Sequence, residues 1–187
     1  MRQIITVFVV CLSIFACSSD DSNSDNNGNS QNNTCSNGFA GIYPCDNYDL
    51  IARLPLSTFG GVGLSANDSW GWTDNTTNKE YALICTTRGT SFVDITDAAN
   101  PVYLGTLNTA TTASTWRDVK VYNDYAFIVS EAENHGMQVF DLTHLRNVTN
   151  PPQDFVADAH YNEFGNAHNI VINEVSGFAY AVGSNTF

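Results

Sequence analysis

An all-β fold is predicted, a β-propeller of repeated four-stranded antiparallel blades that is incomplete in this chain, with about two and a half blades present. Three observations carry this expectation. A seven-residue pattern occurs as Thr90-Ser91-Phe92-Val93-Asp94-Ile95-Thr96 and again as Met137-Gln138-Val139-Phe140-Asp141-Leu142-Thr143. Its aspartates stand 47 residues apart, about the length of one blade. Each copy follows an apolar run rich in β-branched and aromatic residues, Tyr81 to Ile84 and Tyr125 to Val129, which reads as a strand. Helical periodicity is scarce. The one candidate, Leu142 to Val148, runs into Asn150-Pro151-Pro152, which limits it to a single turn.

The chain divides in order. Residues 1–16 read as a signal peptide: Arg2 precedes an apolar run from Ile4 to Ala16, too short to span a bilayer as a helix. The run ends in Ser13-Ile14-Phe15-Ala16-Cys17, which resembles a bacterial lipoprotein signal, with Cys17 lipidated as the mature N-terminus. An ordinary secretory signal, with Cys17 a bystander, is the other reading. Residues 17–34, almost all Ser, Asn, Asp, Gly and Gln after the cysteine, have no apolar surface to bury and read as a solvated, disordered tether. Ser18-Ser19-Asp20-Asp21 is similar to the acidic export signal of outer-membrane lipoproteins displayed on the cell surface. The expected address is therefore the outer membrane, with the membrane as partner through the N-terminal lipid.

Residues 35–66 form an N-terminal segment clamped by a disulfide. Cys35 and Cys45 flank a loop containing Gly38, Gly41 and Pro44, which can fold back to bring them within bridging distance. A metal pair is the competing assignment, but the gap is poor ligand spacing and no histidine is near. Cys85, after Leu83-Ile84, reads as a small buried hydrophobe.

Residues 67–187 form the partial propeller. Ser69-Trp70 is aligned with Thr115-Trp116, and a third copy starts at Ala167-His168-Asn169-Ile170 and continues through Phe178 to Val182. Two repeats and part of a third cannot close a ring, so the chain reads as a fragment of a longer protein. A small, open, repetitive sandwich is the alternative. Asp94 and Asp141, each two residues before a threonine, suit side-chain to backbone bonds at a strand end.

Several segments together, Ala40-Gly41-Ile42-Tyr43-Pro44-Cys45, Trp70-Gly71-Trp72-Thr73-Asp74, Asn100-Pro101-Val102-Tyr103-Leu104-Gly105, Trp116-Arg117-Asp118-Val119 and His135-Gly136-Met137-Gln138-Val139-Phe140-Asp141, resemble the choice-of-anchor B family of bacterial surface proteins. The resemblance runs from Cys35 to Asn185. The Val-Asp-Ile/Leu-Thr core is similar to the LVIVD repeat, which implies a β-propeller on a bacterial surface. It implies no particular activity.

Function is then read from sites. Equivalent positions of successive blades converge on one mouth of a propeller, and the alignment places Trp70-Gly71-Trp72, Trp116-Arg117-Asp118 and Ala167-His168-Asn169 there. Trp70, Trp72, Trp116 and Arg117 are candidate ligand-binding residues. Asp118, His135, His160 and His168 have the ligand types of a divalent-metal site, although no pair has a tight motif spacing and each could instead satisfy backbone groups at blade junctions. Ser130 and Ser184 lie in no nucleophile motif, and Gly60-Gly61-Val62-Gly63 lacks the lysine of a phosphate loop. The net charge of −12 disfavours nucleic acid and anionic membrane surfaces as charge-driven partners. The preferred reading is a non-enzymatic surface module for a protein or glycan ligand. The alternative is a metal-dependent enzyme, a hydrolase in which Asp118 and the histidines hold a cation that activates water.

Overall fold

The computed structural model describes residues 33–185. Cys17, the signal segment and all but the last two residues of the tether lie outside them. The described chain is all-β, arranged as several open sheets with only short 3-10 turns between strands.

The N-terminal segment holds a small hairpin, β1 (Phe39–Ala40) and β2 (Tyr43–Pro44), inside the loop closed by the Cys35–Cys45 disulfide, whose Cα atoms are 5.9 Å apart. The bond closes the segment on itself. Attachment to the rest of the fold comes later in the chain, where Leu54, Leu56, Phe59 and Leu64 pack on Ala82, Ile84, Val93 and Tyr103.

The first sheet is a meander of β3 (Ala66–Asp74), β4 (Lys79–Thr86), β5 (Gly89–Asp94) and β6 (Val102–Asn108). The second begins with β7 (Arg117–Tyr122), β8 (Tyr125–Ser130) and β9 (Met137–Asp141). Asn123 and Asp124, both with positive φ, make the two-residue turn between β7 and β8, where a left-handed backbone matches strand twist. The segment expected to form a single turn is a 3-10 helix over Leu142–Asn147, started by Asp141, whose Oδ1 accepts from Thr143 N–H at 2.9 Å. Asp94 accepts from Thr96 N–H in the same way at 3.0 Å, as the repeated Asp-x-Thr pattern predicts.

After this turn the chain departs from simple four-stranded repetition. It first returns to the first sheet, where β10 (Gln153–Phe155) lies parallel on β6 as a fifth strand, and only then adds β11 (Ala159–Tyr161) antiparallel on β9 of the second. Gly105 permits the first of these moves. Its φ of +143° and the register shift beside it leave no room for a side chain, since a Cβ there would sit 1.9 Å from the Gln153 carbonyl oxygen. A third unit is the hairpin β12 (Asn169–Asn173) and β13 (Phe178–Val182).

Packing follows alternation along the strands. Tyr81, Leu83, Cys85 and Phe92 of the first sheet meet Val119, Ala126, Ile128 and Phe140 of the second, with Phe92 and Phe140 stacked at 4.8 Å and Phe155 edge-on to both. The opposite side of the second sheet, through Phe127, Val129 and Met137, packs on Ile170, Ile172 and Ala181 of the hairpin. Cys85 is a free, buried thiol whose pKa burial pushes up to about 12.

Strand pairing also corrects the repeat alignment. Tyr81 pairs with Asp94 and Tyr125 with Asp141, so these strands correspond as expected. On the other side Asp68 pairs with Cys85, Asp118 with Val129 and Asn169 with Val182. The counterpart of Trp116-Arg117-Asp118 is therefore Ala66-Asn67-Asp68, and Trp70 corresponds to Lys120. The physical reason is a longer first hairpin: β3 and β4 extend beyond the Trp72–Tyr81 pair, whereas β7 and β8 turn immediately after Tyr122–Tyr125.

Candidate functional site

The first strands of the three units are linked by one repeated device. Val119 N–H donates to Asp68 Oδ2 at 3.3 Å, and one unit later Ile170 N–H donates to Asp118 Oδ2 at 2.8 Å. Asn169 Nδ2 reaches the same Asp118 oxygen at 3.2 Å. Each carboxylate thus satisfies a backbone donor on the next unit's first strand. Lys120 Nζ lies 2.5 Å from Asp118 Oδ1, 3.8 Å from Asp68 Oδ2 and 4.5 Å above the Trp70 ring, so the cation sits between two acids and an aromatic face. Burial, then the hydrogen bond with Asp118, raises the Asp68 pKa. Burial penalises Asp118 too, but its bonds to Asp68, Lys120 and the Ile170 N–H outweigh that and hold it low. Asp118 is accordingly a structural latch.

Arg117 is 1% exposed, the opposite of what a candidate ligand-binding guanidinium requires. It crosses from β7 to the first sheet, donating through Nε to the Thr86 carbonyl at 3.3 Å and through Nη2 to Thr109 Oγ1 at 2.9 Å. Nη1 lies 2.8 Å from Nε2 of His135, itself fully buried. An arginine can only donate, so His135 Nε2 accepts and the imidazole proton sits on Nδ1, which donates to the Gly136 carbonyl at 3.0 Å. Burial first, with the Arg117 charge adding, pushes the His135 pKa down to about 4.

The four residues expected to gather around a metal lie near the same end of the strands, as the pairings Arg117–Ser130, Val129–Met137, His160–Gln138 and Asn169–Val182 require. They do not converge. His160 Nε2 bonds the His135 carbonyl at 2.6 Å, His168 Nδ1 pairs with Glu131 Oε1, and Asp118 is held as described. Among the described residues no three His, Cys, Asp or Glu side chains form a group that could hold a metal ion.

The tryptophans separate as well. Trp72 is core: it stacks on Tyr81 at 4.9 Å and donates Nε1–H to Asp124 Oδ1 at 3.0 Å. Trp70 is 43% exposed beneath Lys120. Trp116, 54% exposed, stands beside His168 with ring centroids 6.3 Å apart and planes tilted by 41°. Its carbonyl is fixed by Ser130 Oγ at 3.0 Å and Glu131 N–H at 3.1 Å, and Glu131's carbonyl by Asn166 Nδ2 at 3.2 Å. Trp116, Glu131 and His168 therefore form an exposed, backbone-anchored group contributed by the start of β7, the end of β8 and the start of β12. Glu131 carried no distinguishing signal in the sequence, because it begins an acidic loop that reads as a solvated connection.

Two openings lie elsewhere. A polar cavity of about 570 Å³ near Trp72, Tyr122, Asp124 and Glu174 occupies the other end of the strands. An apolar groove of about 590 Å³ runs between Ile51, Leu54 and Phe59 and the back of the first sheet. No family model, curated protein or solved structure matches this chain.

Proposed function

We propose that this chain is part of a lipid-anchored, surface-exposed β-propeller that works as a non-enzymatic binding module for a protein or glycan, at the end where β7, β8 and β12 meet. The observation that carries the reading is the Trp116, Glu131 and His168 group. Elements from two successive units hold a large aromatic surface and paired polar atoms in place while leaving them in solvent. The propeller form is supported by the repeated Asp68 and Asp118 latches and by the way each unit's face is covered by the next. The choice-of-anchor B resemblance of the repeats agrees with it, and Cys17 followed by a polar tether supports the anchor and the outer-membrane address.

One experiment on cells tests the parts together. Cells bearing the wild-type protein should be captured on one or more members of an immobilised panel of glycans and proteins. Cys17→Ser should release the protein into the medium. A Trp116→Ala/His168→Ala double variant should stay on the cell and fall to background capture. Membrane retention of the Cys17→Ser protein with its signal still cleaved would refute the anchor, and equal capture of the double variant would move binding away from this end.

A further inference from the structure

We propose that Trp116, Glu131 and His168 form a subsite for a neutral, gluco-configured pyranose of a β-linked glycan, an inference that rests on the binding reading above and names its ligand class. A sugar whose hydroxyls are all equatorial has two flat faces of axial C–H bonds and a polar rim. The site offers the matching parts. The indole of Trp116 is more than half exposed, and its carbonyl is held by Ser130 and Glu131, so the ring is presented to solvent from an anchored backbone position. With only two side-chain torsions to immobilise, little conformational entropy is lost when something stacks on it.

The rim partners stand alongside. Glu131 and His168 are paired through Oε1 and Nδ1, with side chains 40% and 52% exposed. Among the described residues their second atoms, Oε2 and Nε2, make no hydrogen bond. One is an acceptor and the other an imidazole nitrogen able to meet a hydroxyl, and mutual pairing orients both. The Trp116 and His168 ring centroids lie 6.3 Å apart with planes tilted by 41°, so a sugar lying on the indole has the imidazole within reach alongside.

Charge and surroundings select among ligands. A chain of net charge −12, with a carboxylate in the site, repels uronate or sulfated glycans, which leaves neutral sugars. A protein hot spot would instead seat its aromatic in a desolvated pocket ringed by apolar contacts. Trp116 has Glu131, Ser130 and His168 around it.

The test is titration of the full mature chain with cellohexaose, followed by tryptophan fluorescence and calorimetry. Maltohexaose, a hexagalacturonate and a Lys/Tyr-rich decapeptide serve as comparison arms. The expected result is saturable binding of cellohexaose at roughly 0.1 mM, in the range open to a shallow site, with the hexagalacturonate at least tenfold weaker. Trp116→Ala should lower affinity at least tenfold, Trp116→Phe should retain most of it, and Glu131→Gln should lower it severalfold, all with unchanged thermal unfolding. Trp70→Ala should leave binding unchanged. Cellohexaose binding that ignores Trp116→Ala overturns the subsite. Trp116-dependent binding of the decapeptide without any hexasaccharide overturns the glycan assignment while leaving a binding module in place. Binding of none of the four probes overturns the glycan assignment, and if the cell-capture experiment is also negative the module reading falls with it.

Discussion

A buried arginine whose neighbour is a neutral histidine behaves differently from one held by a carboxylate, because the acceptor can be switched off by a proton. His135 accepts from Arg117 only while Nε2 is bare. Its folded pKa is about 4, against about 6.5 in an unfolded chain. Between those values the unfolded chain binds a proton that the folded one refuses, so the contribution is complete above about pH 6.5 and is lost as pH falls toward 4. Urea unfolding should show the wild type losing on the order of 3 kcal/mol across this window relative to His135→Gln, which keeps an acceptor that does not titrate. Parallel pH profiles for the two proteins would refute the assignment. None of this was legible in the sequence: Arg117 follows an exposed tryptophan, and its partners Thr86 and His135 come from 31 and 18 residues away. Asp94 and Asp141 were legible, because their partners are two residues along the chain.

At the level of elements, the repeated strands could be read because Tyr81 to Ile84 and Tyr125 to Val129 carry their apolar signal within a few residues. β10 could not: Gln153-Asp154-Phe155 has no periodicity, and its pairing depends on a backbone vacancy at Gly105, 48 residues earlier. The tryptophan alignment slipped for a related reason, since hairpin length is set by pairing and not by the identity of the residues displaced. Gly105→Ala should therefore act on one element. We expect a loss of at least about 2 kcal/mol and loss of amide-exchange protection at residues 153–155, while β3 and β4 remain protected. Unchanged protection at those three residues would mean that β10 does not depend on the glycine.

For the whole molecule, the disulfide and the sheets are separate matters. The bond closes a loop whose cysteines are 10 residues apart, and loop entropy assigns such a link about 2–3 kcal/mol. That stabilisation belongs to the N-terminal segment, because Leu54, Leu56, Phe59 and Leu64 fasten the chain to the first sheet independently. A Cys35→Ser/Cys45→Ser variant should be cut by protease between residues 36 and 48 far faster than the wild type, with the main unfolding transition shifted little. A collapse of that transition would make the bond a clamp on the sheets themselves. The excursion of β10 has a consequence of another kind, for the order in which the molecule is made. The edge of β6 is complete at Asn108, but its partner is not finished until Phe155. Delivered from its N-terminus across a membrane, the chain presents that edge unpaired through the 47 residues between Asn108 and Phe155, and for that interval it is a template on which a strand of another chain can add.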